Sequence, residues 1–323
     1  MKKRAQSFQL FFLENLAWFL ALFFYISFAA VKGGAMFSLE FILFMIHSVV
    51  PLGLLVMAET IALLSGNLDL SIAAMAGFVA ISSGVILAAN RAIPGYVAVL
   101  LPIAIGILCG CLNGFLIGPL KFNPFLVTLG TLMIFDGGTF MISKSDVVAT
   151  VLPDLYLFAG DPYVAIVTFL AILAFFAVLM KYTRFGLHLY YAGGGPVTAS
   201  MMGINLGRTY FATFALSGLL TGLAALYYTG YIHTAAITLA DGSLFPALAG
   251  AVIGGVSLSG GRGAVQNAFA GTVLLGVIEA GLSMFAISSE ARIVSYGVMV
   301  IGAIVVNRVR DDVRDRLLRY APR

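Results

Sequence analysis

The chain has 323 residues, of which 61% are apolar and 10% charged, with a formal net charge of +4 and a mean hydropathy of +1.05. Soluble domains carry roughly 45–50% apolar and about 25% charged residues, so most of this surface must face lipid. The basic residues gather at the ends of apolar runs and line no groove, which excludes nucleic acid as an expected partner.

Apolar runs approaching the roughly 20 residues that a helix needs to cross a bilayer occupy 10–31, 39–64, 71–90, 96–118, 125–142, 162–180, 209–233, 246–259, 264–287 and 291–307. They predict an all-α polytopic membrane bundle of about ten transmembrane helices. It forms a single domain over residues 1–323, with both termini cytoplasmic. With the N-terminus inside, alternation puts Lys2, Lys3, Arg4, Lys121, Lys181, Arg184, Arg208, Arg262 and the tail arginines on the cytoplasmic side. Only Lys32, Arg91, Lys144 and Arg292 fall on the other. That asymmetry is the one the positive-inside rule requires.

The chain opens on MKKR, and Ser27-Phe28-Ala29 resembles a weak cleavage site. The first run is long for a secretory leader and further runs follow it, so an uncleaved signal-anchor is expected. Pro51 should kink the second run, since it removes a backbone donor and clashes with the preceding turn. Gly66 and Asn67 then interrupt the pattern, and Asp69 is expected to cap the next helix, with a place on a polar pathway as its second reading. Glu59, Asp69, Asp136 and Glu279 all fall within or at the ends of apolar runs, where charge is costly and therefore informative.

In the fourth run Gly106, Gly110, Gly114 and Gly118 recur every four residues, a flat stripe that admits another helix closely. Gly218/Gly222 and Gly250/Gly254 repeat the device. Cys109 and Cys111 lie two apart on different sides of one helix, so they read as packing residues without a disulfide. The connector 143–161, the longest outward loop, carries Asp146, Asp154 and Asp161 against Lys144 and reads as a solvated acidic link, with a contact for an extracytoplasmic partner as its second reading.

The stretch Tyr182–Arg208 is polar, basic and glycine-rich between two apolar runs. Gly193-Gly194-Gly195 reads as a flexible entry and Pro196 as the first turn of a helix. Val197 to Met202 spans about two turns before Gly203 ends it. Met201 and Met202 would be apolar knobs able to adapt to a partner's groove. The run 246–259 is short for a full crossing and reads as broken or re-entrant, tolerable where protein surrounds it. GGVSLS at 254–259 echoes GNLDLS at 66–71, as internal repeats with broken helices do in transporters. The tail 308–323 predicts a basic cytoplasmic helix with Asp312/Arg316 and Asp315/Arg319 at i,i+4, drawn to anionic lipid heads.

Several chemistries are missing. There is no Gly-Lys dipeptide, hence no Walker A loop, and no G-x-S-x-G elbow. His47, His188 and His233 lie far apart without carboxylate or Cys at ligand spacing, so no metal site is expected.

Four segments taken together, GNLDLSIAAMAG (66–77), LNGFLIGPLKFNPFLVTLGTLMI (112–134), YAGGGPVTASMMGIN (191–205) and GGVSLSGGRGAVQNAFAGTVLLGVIEAGL (254–282), carry a resemblance. In that order, across residues of about 40 to 307, the chain resembles the permease subunits of ATP-binding-cassette importers for ribose, xylose, arabinose and galactose. The resemblance implies a multi-pass subunit of the cell inner membrane, paired with a second copy or a sister permease around one path and surrounded by membrane lipids. It implies a cytoplasmic ATPase subunit that holds ATP and Mg, and an extracytoplasmic sugar-binding protein; the chain itself would carry no cofactor and no catalytic residue. The ATPase would dock at Gly194–Asn205, with Gly194, Pro196, Met201, Met202 and Gly203 in coupling. The path would use Asn67, Asp69, Asn113 and Glu279. The family usually has an acidic residue or Asn followed by an alanine pair where this chain has Pro196-Val197-Thr198-Ala199-Ser200, and paired asparagines where it has Glu279-Ala280. Two alternatives stand beside this reading: a gradient-driven transporter working through Glu59 or Asp136, and a related permease for nucleosides or branched-chain amino acids.

Overall fold

The computed structural model describes residues 11–12, 15–144 and 153–319. Lys2, Lys3, Arg4, Asp146 and Arg323 lie outside them, as do the side chains of Arg314, Asp315 and Arg319. Helix α1 (Leu16–Lys32) leads through a 3-10 turn into α2 (Leu39–Leu64), α3 (Ile72–Ala89), α4 (Gly95–Ile117) and α5 (Pro124–Ser143). Then come the short α6 (Asp154–Ala159), α7 (Pro162–Tyr182), α8 (Arg184–Gly194), α9 (Pro196–Met201) and α10 (Leu206–Ile232). The chain ends with α11 (Leu244–Ile253), α12 (Val265–Met284) and α13 (Ser289–Arg319). Among the described residues 8 helices are long and apolar enough to cross a membrane, the last of them over Ala291–Val313 of α13. The apolar α1 and α11 are shorter, at 17 and 10 residues.

Several helices start on side-chain caps, which satisfy amides that have no partner within the helix. Ser38 Oγ accepts from Phe41 N at the start of α2, and Asn123 Oδ1 from Leu126 N at the start of α5. Asp161 Oδ1 accepts from both Tyr163 N and Val164 N at the start of α7. Pro124 and Pro162 stand next to those last two caps, where proline's missing donor costs nothing. Helix α2 runs on through Pro51.

The run 246–259, expected to be short and broken, forms a helix of about 15 Å over Leu244–Ile253, so only its bounds are corrected. The backbone at Gly255 takes a φ of +110°. There the Gly255 amide donates to Val252 O (3.0 Å) and the Val256 amide to Ala251 O (3.1 Å), the pairing of a Schellman cap. An irregular segment then leads to α12. The same closure ends α2: Gly66 (φ +82°) donates to Leu63 O at 2.8 Å and Asn67 to Ala62 O at 3.1 Å.

Helix α2 is the buried centre; from Val49 to Leu64 its side chains are sealed from the surface. Helices α7, α10, α11 and α12 surround it. The tightest crossing joins α4 to α10. A Cβ on Gly110 would lie 2.3 Å from Phe214 O, one on Gly218 2.2 Å from Gly106 O, and one on Gly118 2.3 Å from Gly207 O. The two backbones therefore touch along the whole stripe, which only glycine permits. Cys109 and Cys111 are both free thiols on α4.

The tail differs from expectation in its pairing. Arg308 and Asp312, at i,i+4, approach to 3.6 Å, in place of Asp312 and Arg316. Both side chains are exposed, so the pair contributes at most about 1 kcal/mol.

Candidate functional site

The break between α2 and α3 builds a buried polar chain. Asp69 sits two residues before the α3 N-cap, Ser71, and accepts from the Ser71 amide (3.0 Å) and hydroxyl (2.6 Å) through Oδ1. This is an Asx-type turn into the helix; the amides further along α3 are not capped by Asp69. Its Oδ2 accepts from the Ser217 hydroxyl of α10 at 3.1 Å. Asn113 Nδ2 of α4 donates to Ser71 Oγ at 2.9 Å, and Asn67 Nδ2 donates to Ser65 Oγ at 2.8 Å. Thr128 of α5 donates to Leu68 O at 3.3 Å. Three predicted path residues, Asn67, Asp69 and Asn113, thus fall in one buried neighbourhood. Glu59, one helical face before the break, is fully buried with neither carboxylate oxygen hydrogen-bonded among the described residues. Asp136, by contrast, lies on the exposed side of α5.

Asp69 is the acceptor on which two helices and the break converge. Replacing it with Ala takes away the acceptor of three buried donors, the Ser71 amide and the O–H groups of Ser71 and Ser217, at about 1–3 kcal/mol each. We expect Asp69→Ala to lower the unfolding temperature in detergent clearly, and Asp69→Asn, which keeps one acceptor oxygen, to lower it less. Equal melting of Asp69→Ala and wild type would remove this role.

Glu279 belongs to a different cluster, near the far end of α12. It lies within electrostatic reach of Arg292 and Tyr296 of α13 and of Tyr228 and Tyr231 of α10. Tyr228 Oη and Ser243 Oγ share a hydrogen bond of 3.2 Å. Sequence reading missed these neighbours because they come from two other elements, α10 and α13.

The stretch 182–208 holds two helices, where the sequence suggested one. Helix α8 buries Gly186, Leu189, Ala192 and Gly193, a three-to-four residue spacing that was legible as one apolar helical face. Thr183 Oγ1 caps it by accepting from Gly186 N. Helix α9 follows after Gly195 and closes on Gly203, φ +82°, through Gly203 N to Ser200 O (3.0 Å) and Ile204 N to Ala199 O (3.1 Å). Asn205 Oδ1 then starts α10 by accepting from Arg208 N. Met201 and Met202 are left 82% and 59% exposed on α9.

The expected flexible entry at Gly193-Gly194-Gly195 is corrected. Gly193 and Gly194 end α8, and Gly193 is wedged into backbone: a Cβ there would lie 2.1 Å from Leu64 O, 2.6 Å from Gly261 N and 2.9 Å from Gly66 N. One on Gly260 would lie 2.6 Å from Gly66 Cα and 2.7 Å from Gly193 O. The Gly261 amide donates to Leu64 O at 3.0 Å, and Tyr190 Oη donates to Gly263 O at 2.9 Å. Three glycine-lined segments cross here: the end of α8, the α2–α3 break and the α11–α12 loop.

The echo between 66–71 and 254–259 has a structural counterpart. Both helices end in the same cap, and Ser259 N donates to Ser257 Oγ (3.2 Å) as Ser71 N does to Asp69 Oδ1. The second break is one residue tighter, since three positions separate Gly66 from Asp69 and two separate Gly255 from Ser257.

A polytopic bundle with two broken crossings, and a helical loop set against both breaks, is the architecture of a membrane permease. Residues 41–306 match the family described as branched-chain amino acid transport system / permease component, and the chain belongs to that family. It is 30% identical over 304 residues to the ribose import permease protein of Bacillus subtilis (strain 168), covering 92% of this chain and 93% of that one. It is 26% identical to the fructose import permease protein of Rhizobium meliloti, over 88% of this chain and 82% of the relative. To the autoinducer 2 import system permease protein of Escherichia coli O157:H7 it is 29% identical, over 92% and 93%. No solved structure matches the chain. Family and helices together make it a multi-pass permease of the inner membrane, of the ATP-binding-cassette import type.

Proposed function

We propose that this chain forms half of the path by which a monosaccharide enters the cell, and that a separate ATPase subunit drives it. The observation that carries this reading is the contact of Gly193 with both Leu64 and Gly261, which ties the α8–α9 loop to both broken crossings. A push on α9 from the cytoplasm would reach the polar break through rigid backbone. The exposed Met201 and Met202 supply the adaptable apolar surface that a partner's groove would cover. ATP and Mg would be held by that partner. A binding protein would deliver the sugar on the opposite face, and a second copy or sister permease would complete the path. The sugar class is supported by the ribose and fructose relatives.

Purification of the tagged chain from native membranes in mild detergent tests the assembly. Recovery of an ATPase near one per permease is expected; recovery of the permease alone, with an ATP analogue present, would reject it. Uptake of labelled ribose, fructose or galactose, competed by unlabelled sugar and unaffected by leucine, tests the substrate class. Competition by leucine alone would reject it.

The loop has its own prediction. No atom lies within 4 Å of a Cβ on Gly203, so its constraint is conformational. A non-glycine residue at φ +82° costs about 1–2 kcal/mol, which would misdirect the end of α9. We expect Gly203→Val to stay in the membrane at normal levels and to lose uptake. Normal uptake by this variant would count against α9 as the docking element.

A further inference from the structure

The last helix carries a buried cation that the expected lipid-facing role of the tail does not account for. Arg310 of α13 is 8% exposed. Its Nη2 donates to Ile253 O at 3.2 Å, and its Nη1 lies 3.5 Å from Val252 O. Both carbonyls belong to the final turn of the short helix α11. The Schellman closure at Gly255 uses Val252 O and Ala251 O, and the Gly254 amide uses Gly250 O. Ile253 O is the carbonyl that the backbone leaves for Arg310.

A guanidinium is expensive to bury and is tolerated where its donors find acceptors. The C-terminus of a helix supplies such acceptors and a partial negative charge. Gly255 makes room for it: a Cβ there would lie 3.2 Å from Arg310 Nη1. The sequence GG at 254–255 therefore both ends the helix and seats the cation. Five residues further on, Gly260 and Gly261 reach the crossing with Gly66 and Gly193.

We infer that Arg310 is a positioning residue for transport: it fixes the end of α11 to α13, so that motion of the α8–α9 loop moves the broken crossing as a unit. This inference rests on the importer reading proposed above. Without the clamp, a displacement arriving at Gly260–Gly261 would be absorbed by the irregular 254–264 loop. ATP would still be hydrolysed, and the path would not turn over with it.

The test uses the permease–ATPase complex in proteoliposomes with its binding protein, and whichever of ribose, fructose and galactose the wild type imports best. ATP hydrolysed and sugar imported are measured together for wild type, Arg310→Met and Arg310→Lys. Met keeps most of the packing volume and no donor; Lys keeps one charged donor. The expected result is an at least tenfold rise in ATP consumed per sugar for Arg310→Met, at unchanged recovery of the ATPase, with substantial rescue by Arg310→Lys. A wild-type ratio in Arg310→Met would overturn the inference. So would failure of Arg310→Met to accumulate while Arg310→Lys shows a wild-type ratio and melts as wild type, because that pattern marks a folding anchor. If Arg310→Met fails to accumulate, an intermediate ratio in a normally assembled Arg310→Lys complex supports the inference. If the wild-type complex itself neither hydrolyses ATP nor imports sugar, the importer reading fails, a result separable from any behaviour of the variants.

Discussion

Gly193→Ala will reduce uptake at least tenfold, while Gly194→Ala, one residue away, will transport nearly as wild type. The two glycines are neighbours on α8, and a helical position suits alanine at both. Their surroundings differ. An added methyl on Gly194 meets nothing nearer than Gly261 Cα at 4.0 Å. On Gly193 it meets a carbonyl, an amide and a further amide from two other segments, all closer than 3.0 Å. None of these is a flexible side chain that could turn aside, so backbone has to move. The movement would separate α8 from the two breaks, where the loop's backbone touches both. Labelled-sugar uptake, corrected for membrane abundance by immunoblot, decides the matter. Equal uptake by the two variants would remove the crossing from the mechanism.

Gly110→Leu will deplete the protein from the membrane, whereas Gly130→Leu and Gly137→Leu will accumulate normally. Gly110 stands where α4 and α10 touch, 2.3 Å from Phe214 O and 2.8 Å from Gly218 Cα as measured from an added Cβ. A leucine needs the helices to part by several ångströms, and overpacking of this kind costs about 3 kcal/mol or more. Gly130 and Gly137 on α5 have nothing within 4 Å of the same construction. Helix association in lipid depends on close packing, so the stripe is a folding requirement and its loss should show as degradation. Membrane levels of the three variants, and their elution in detergent, are the measurement. Accumulation of Gly110→Leu as a monodisperse species would show that α4 and α10 tolerate separation.

Composition and run length were enough to read the bundle, because lipid imposes a simple demand on every crossing. The glycine spacing at 106–118 likewise pointed to close helix packing, since a stripe on one face leaves few other uses. The break at Gly66 was legible as local chemistry. Its partners were not: Ser217 lies 148 residues beyond Asp69, and Asn113 lies 42 beyond Ser71. Such pairings carry no local signal. Gly193-Gly194-Gly195 misled for the same reason. Three glycines suggest freedom when only their own segment is in view, and tight crossing when Gly66 and Gly261 stand beside them. Arg310 was read with the other tail arginines as a lipid-facing charge, because nothing in RVRDDVRDRLLRYAPR separates it from its neighbours. Only the unused carbonyl at Ile253 does.

The distance along the chain between Asp69 and Ser217 has a consequence for biogenesis. Synthesis at about 5–20 residues per second places roughly 7–30 s between the emergence of the carboxylate and that of its acceptor-satisfying serine on α10. Leu64 waits longer still for Gly261. During that interval the first break sits in or beside the translocon with polar groups that lipid cannot satisfy. The polar contacts of the first break are therefore completed only once α10 and the α11–α12 loop have been made.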